Sequence, residues 1–73
     1  MKTYVSVSFT HGSPLPSSIY FNKKRYEIKE HISSNFINGI TVCRIKIGER
    51  ETLLYHEEIP RIRRWYVYSK NAA

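Results

Sequence analysis

The chain has one cysteine, Cys43, no aspartate, and three glycines that stand apart at positions 12, 39 and 48. A lone cysteine excludes an intramolecular disulfide, and no Cys/His set has zinc-ligand spacing, so neither staple used by many mini-domains is available. Isolated glycines exclude a glycine-rich phosphate loop, and no pair of His or acidic residues stands at metal-ligand spacing. Long apolar runs are missing as well. Residues 1–9 alternate polar and apolar, and His11-Gly12-Ser13-Pro14 ends the pattern, so no signal peptide or membrane span is read there. With a single cysteine, this points to the cytoplasm.

Acid is the other scarcity. Lys and Arg number 12 against six Glu, giving a net charge of +6 and a pI near 9.7. A basic surface attracts anions, and nucleic acid above all, because each phosphate that is neutralised releases condensed counterions. The 73 residues allow one domain, which at this size buries roughly 60% of the surface its unfolded chain exposes. A large catalytic cleft, which needs several elements to wall it, is not expected unless the chain oligomerises.

Residues 2–9 place Val5, Val7 and Phe9 on one side and Tyr4, Ser6 and Ser8 on the other, the period of a half-buried strand. Gly12, Pro14, Pro16 and three serines make residues 10–18 a flexible loop. Residues 19–21 and 26–32 read as a hairpin around the polar turn 22–25. The competing reading is one helix over residues 18–32, capped by Ser18, since Phe21, Arg25, Ile28 and Ile32 recur at helical spacing. Residues 33–39 read as a turn whose Phe36 and Ile37 fold back on the core. Ile40–Ile47 is the clearest strand, with Thr41, Cys43, Ile45 and Ile47 on one face and Val42, Arg44 and Lys46 on the other. Gly48-Glu49 then turns into a strand over residues 51–56. Residues 57–60 read as a loop, because Pro60 biases Ile59 away from helix and lacks a ladder donor. Residues 61–68 form the last strand and residues 69–73 a frayed tail. The expected fold is all-β: a small antiparallel meander curled into an SH3-like or OB-like barrel. A helix at residues 18–32 would instead give an α+β chain of order βαβββ.

The run Arg61-Ile62-Arg63-Arg64-Trp65-Tyr66-Val67-Tyr68 carries the functional signal. If Trp65 and Val67 face inward, Arg64, Tyr66 and Tyr68 face out, beside Arg44 and Lys46 of the other clear strand and, from a third, Lys29. Guanidinium and ammonium groups interleaved with phenol rings supply phosphate contacts beside surfaces on which bases stack, at roughly 1–3 kcal/mol each. The opposite phase buries Ile62, Tyr66 and Tyr68 and exposes Trp65 with Arg61 and Arg63. Lys23, Lys24 and Arg25 form a basic triplet on a turn, suited to auxiliary phosphate contact, although such runs are commonly just soluble hairpin tips.

The expectation is a non-enzymatic domain that binds nucleic acid through Arg44, Lys46, Arg64, Tyr66, Tyr68, Lys23, Lys24 and Arg25, with no cofactor, metal or membrane partner. A second reading is a protein-interaction module or homodimeric accessory subunit, because dimerisation supplies burial that a small core lacks. A third is a metal-independent ribonuclease built on His56 with Glu57 or Glu58. Cys43 lies mid-strand on the apolar face, where a thiol behaves as a small hydrophobe.

Overall fold

The computed structural model describes residues 1–59 and 62–68, in which the chain forms seven strands and no helix. They are β1 (Lys2–Phe9), β2 (Pro16–Phe21), β3 (Lys24–Glu27), β4 (Glu30–Ile37), β5 (Ile40–Ile47), β6 (Arg50–Ile59) and β7 (Ile62–Tyr68). The all-β expectation holds, and the helix at residues 18–32 does not form. Its place is taken by β2, β3 and the start of β4, because Asn22 and Lys23 adopt φ of 56° and 65°. Two successive left-handed residues make a mirror-image turn whose twist matches that of the flanking strands, and they cannot continue a right-handed helix. Asn38 and Gly39, at φ 50° and 81°, repeat the device between β4 and β5.

Five sequence expectations change. The strand read over residues 26–32 breaks at Ile28 and Lys29, where the chain exchanges neighbours: the Ile28 amide donates to the Ser17 carbonyl (2.9 Å) and the Lys29 amide to the Lys46 carbonyl (2.7 Å). Residues 33–37 are strand, not turn, since Asn38-Gly39 already supplies the reversal and Ser33, Ser34 and Asn35 pair with Arg44, Cys43 and Val42. Phe36 and Ile37 therefore do not fold back, and remain 72% and 57% exposed. Glu57 and Glu58 prolong β6 beyond the expected strand, opposite Arg64 and Arg63, with unlike charges facing across the ladder. The loop at residues 10–18 shortens because Pro16 opens β2, a position where the missing amide costs little. The basic turn narrows likewise, leaving Lys24 and Arg25 in β3. Pro60, Arg61 and the tail at residues 69–73 lie outside the described residues.

One antiparallel sheet has the order β3-β2-β1-β7-β6-β5-β4, two meanders joined where the first strand pairs with the last. Its two edge strands are consecutive in the chain and only Ile28 and Lys29 separate them, so the sheet must curl to bring its margins towards each other, giving a half-barrel. His31 bridges the margins, its Nε2 donating to the Pro16 carbonyl at 2.8 Å. Alternation then fills the concave side. Ile19, Cys43, Ile45, Leu54 and Val67 form the buried cluster, and Val5, Val7, Phe21, Tyr26, Ile28, Ile47 and Trp65 pack round it. This fixes the phase of the last strand, with Trp65 and Val67 inward and Arg64 and Tyr68 exposed. No helix among the described residues is long and apolar enough to cross a membrane.

Leu54 is fully buried at the centre of this cluster. Leu54→Ala is expected to cost about 2–5 kcal/mol in urea unfolding. Phe36→Ser, at an exposed strand end, should stay within roughly 0.5 kcal/mol of the parent.

Candidate nucleic-acid interface

The convex face is built by the residues that alternate with the core. One cross-strand row runs Tyr4, Tyr66, Tyr55, Val42, Asn35 over β1, β7, β6, β5 and β4. Its tyrosines contact one another: Tyr55 stacks on Tyr66 with centroids 5.1 Å apart, and Tyr4 meets Tyr66 edge-on at 5.9 Å. Tyr68 packs edge-on against Tyr55 (5.1 Å) and Tyr66 (5.7 Å). Such contacts each add about 0.5–1.5 kcal/mol beyond burial, so the cluster is a second, smaller core on the outer surface. Tyr66 lies beneath it, 2% exposed, with the Lys2 ammonium 4.3 Å above its ring. The residue proposed from sequence as a stacking surface thus supports its neighbours, and the exposed rings are Tyr4 and Tyr68.

Electrostatics follow the same packing. The Lys2 ammonium is held above its ordinary pKa by a hydrogen bond with Tyr4 and by Glu57, whose carboxylate lies 3.7 Å away. The Tyr4 hydroxyl is pushed below the usual tyrosine value, first by Arg64, whose Nη1 donates to it at 3.4 Å, and then by Lys2. The Arg64 guanidinium sits 5.3 Å from the Tyr4 ring centre, in cation–π range. Burial moves Tyr66 the other way, upward, because a phenolate has no water there.

The basic residues read from sequence divide in two. Arg44 faces Glu51 at 3.9 Å, and Lys46 stands in register between Glu30 and Glu51. Arg25 pairs with Glu27 at 3.1 Å, Lys29 with Glu49 at 4.0 Å and Arg63 with Glu58 at 3.5 Å. Exposed pairs of this kind contribute about 0–1 kcal/mol each, so they neutralise the local field without locking the side chains. Among the described residues, Lys23, Lys24, Lys46, Arg50 and Arg64 have no carboxylate within ion-pair distance. Lys23 lies in the β2–β3 turn and Lys24 opens β3.

The geometry adds a feature that no alternation shows. β1 pairs with β7 only from Lys2 to Val5, and from Ser6 to Phe9 it pairs with β2. Past Val5 and Trp65 the strands diverge, opening a groove of about 440 Å³ lined by Tyr4, Ser6, Arg63, Arg64 and Trp65 among others. Both phases of β7 therefore reach one opening. Across it, Ser6 is in register with Tyr20, and Tyr20 with Arg25, so the basic β2–β3 hairpin continues the same face. Tyr20 is 44% exposed. Lys2, Tyr4 and Tyr20 were absent from the binding set read from sequence. Tyr4 had a signal there, since it shares the polar phase of residues 2–9.

The His56-Glu57-Glu58 group does not converge. His56 stacks on Trp65 on the concave side, with centroids 4.2 Å apart, and its Nε2 is buried with no hydrogen-bond partner among the described residues. Glu57 faces the other way, to Lys2, and Glu58 is engaged by Arg63. Burial raises the Cys43 thiol pKa, which keeps it protonated and unreactive at neutral pH.

Comparison with protein-family models, curated proteins and solved structures finds no match to this chain.

In an alkaline absorbance titration, Tyr4 is expected to ionise ahead of an ordinary tyrosine and Tyr66 after it. Arg64→Leu should return Tyr4 towards the usual value. A tyrosine with a raised folded pKa stabilises the fold below its unfolded pKa of about 10 and loses that contribution as pH rises through the folded value. Tyr66→Phe should therefore flatten alkaline unfolding.

Proposed function

We propose that the chain is a non-enzymatic domain that binds single-stranded nucleic acid on the face formed by β2, β1 and β7. One observation carries this reading: the groove between β1 and β7, which sets Arg63 and Arg64 beside Tyr4 and Ser6. Arginine forks match phosphate oxygens, and the exposed phenol rings of Tyr20, Tyr4 and Tyr68 offer successive bases a surface that accepts any of the four. A single strand can splay its bases onto such rings, whereas a duplex keeps them stacked inside. Lys23, Lys24 and Arg25 extend the positive field over the hairpin, and Arg44 and Lys46 lie outside the central set because β6 separates their strand, β5, from the groove. A cytoplasmic location belongs to the same reading.

Labelled single- and double-stranded oligonucleotides titrated at two salt concentrations test it. Single strands should bind more tightly, with log affinity falling linearly in log salt by about 0.7 for each phosphate contact. Arg64→Ala should lower that slope by about one contact. Tyr4→Ala should weaken binding by roughly fivefold or more, as loss of one stacked base requires, while Arg44→Ala has little effect. No binding near physiological salt, or an unchanged Arg64→Ala protein, overturns the proposal.

A second reading, a homodimer, has its own observation. The β3 edge is four residues long and charged, Lys-Arg-Tyr-Glu, whereas β4 is eight long and carries no charge after His31. Charged, short edges resist strand addition and uncharged long ones invite it. Two β4 strands meeting antiparallel across a two-fold axis bring no like charges together. Light scattering across concentration should then show a dimer that Phe36→Lys converts to monomer. A monomer at every concentration would remove this reading.

A further inference from the structure

The other end of the half-barrel holds a second concavity, which meets the face proposed for nucleic acid only at Tyr68. About 370 Å³ in volume, it lies where the β2–β3 and β5–β6 turns approach, and its walls include Ile19, Phe21, Tyr26, Ile47 and Val67. That volume falls within the range of roughly 300–1,000 Å³ typical of small-ligand sites, and like them it is walled mainly by apolar and aromatic side chains. Ile19 and Val67 belong to the buried cluster, so its floor is the core itself.

Among the described residues, one charged side chain lines it, Arg50, and no carboxylate does. Arg50 is exposed and has no ion-pair partner among the described residues, where its neighbours are already engaged: Glu49 faces Lys29 and Glu51 faces Arg44. Lys23 and Lys24, also without carboxylate partners, sit on the hairpin between two wall residues, Phe21 and Tyr26. The result is an apolar floor under a cationic rim. A polyanion would satisfy the rim and leave the floor in water. A neutral apolar molecule would cover the floor and leave Arg50 without a counter-charge.

We propose that this cavity binds a small amphiphilic carboxylate, its aliphatic chain on Ile19, Ile47 and Val67 and its carboxylate on the Arg50 guanidinium. Chain burial supplies most of the affinity, at about 0.8 kcal/mol for each methylene removed from water. The charge-assisted hydrogen bonds to Arg50 select the head group. Its lining shares no residue with the groove between β1 and β7, although Tyr68, Lys23 and Lys24 belong also to the face proposed for nucleic acid.

Octanoate, 1-octanol and octylammonium titrated into the full chain test the proposal, by calorimetry and by amide chemical shifts. Octanoate should bind at least about fivefold more tightly than octanol, octylammonium should not bind, and the shifts should centre on Ile19, Thr52 and Val67. Arg50→Gln, an exposed substitution that leaves the core intact, should make the acid and the alcohol equivalent. Thr52→Phe, which fills the cavity, should weaken both. Absence of octanoate binding, equal affinity for acid and alcohol in the parent chain, or shifts confined to the Tyr4 and Arg64 groove would overturn it.

Discussion

Everything else in this fold depends on the pairing of β1 with β7. Without Thr3 opposite Val67 and Val5 opposite Trp65, the chain would be two separate meanders, each presenting half of an apolar face to water. The contact joins residues some sixty positions apart, but closure entropy grows only logarithmically with loop length. Burial of Ile19 from one meander against Ile45, Leu54 and Val67 of the other outweighs that cost. The same strand also serves β2, and it cannot follow both neighbours along its whole length. The groove is where β1 leaves one partner for the other.

The core inside the half-barrel is small, and the convex face compensates. Tyr66 is as buried as the interior residues although it points away from them, because Tyr4, Tyr55, Tyr68 and the stem of Lys2 close over it. Rings and cations on that face are therefore ordered before any ligand arrives. Contacts made by pre-ordered side chains lose less entropy on binding than contacts made by free ones. Arg64 illustrates this, since its hydrogen bond to Tyr4 and its position over the ring hold it at the groove.

How much of this was legible in the sequence depended on whether the signal was local. Ile40–Ile47 alternates cleanly, and the structure matches it residue for residue. The inward phase of Trp65 and Val67 followed from matching β7 to it. β4 was hidden because Ser33, Ser34 and Asn35 have the composition of a turn, and only their pairing with β5 makes them a strand. The Asn38-Gly39 signal was present, but it was spread over seven residues instead of confined to two. Pro60 makes Glu57 and Glu58 read as a loop, yet the arginines across the ladder carry the strand on to Ile59. The burial of Tyr66 and the divergence of β1 from β7 had no local trace, since both arise from strands distant in sequence.

The two-residue connection at Ile28 and Lys29 has a mechanical consequence. One amide is fastened to β2 and the next to β5, so the chain there acts as a short inextensible strap across the seam of the half-barrel. Force that pulls the β2–β3 hairpin outward loads the hydrogen bond at Lys46 directly, instead of being absorbed by a slack loop. The hairpin therefore cannot swing away without both parting β2 from β1 and breaking the bond between Lys29 and Lys46.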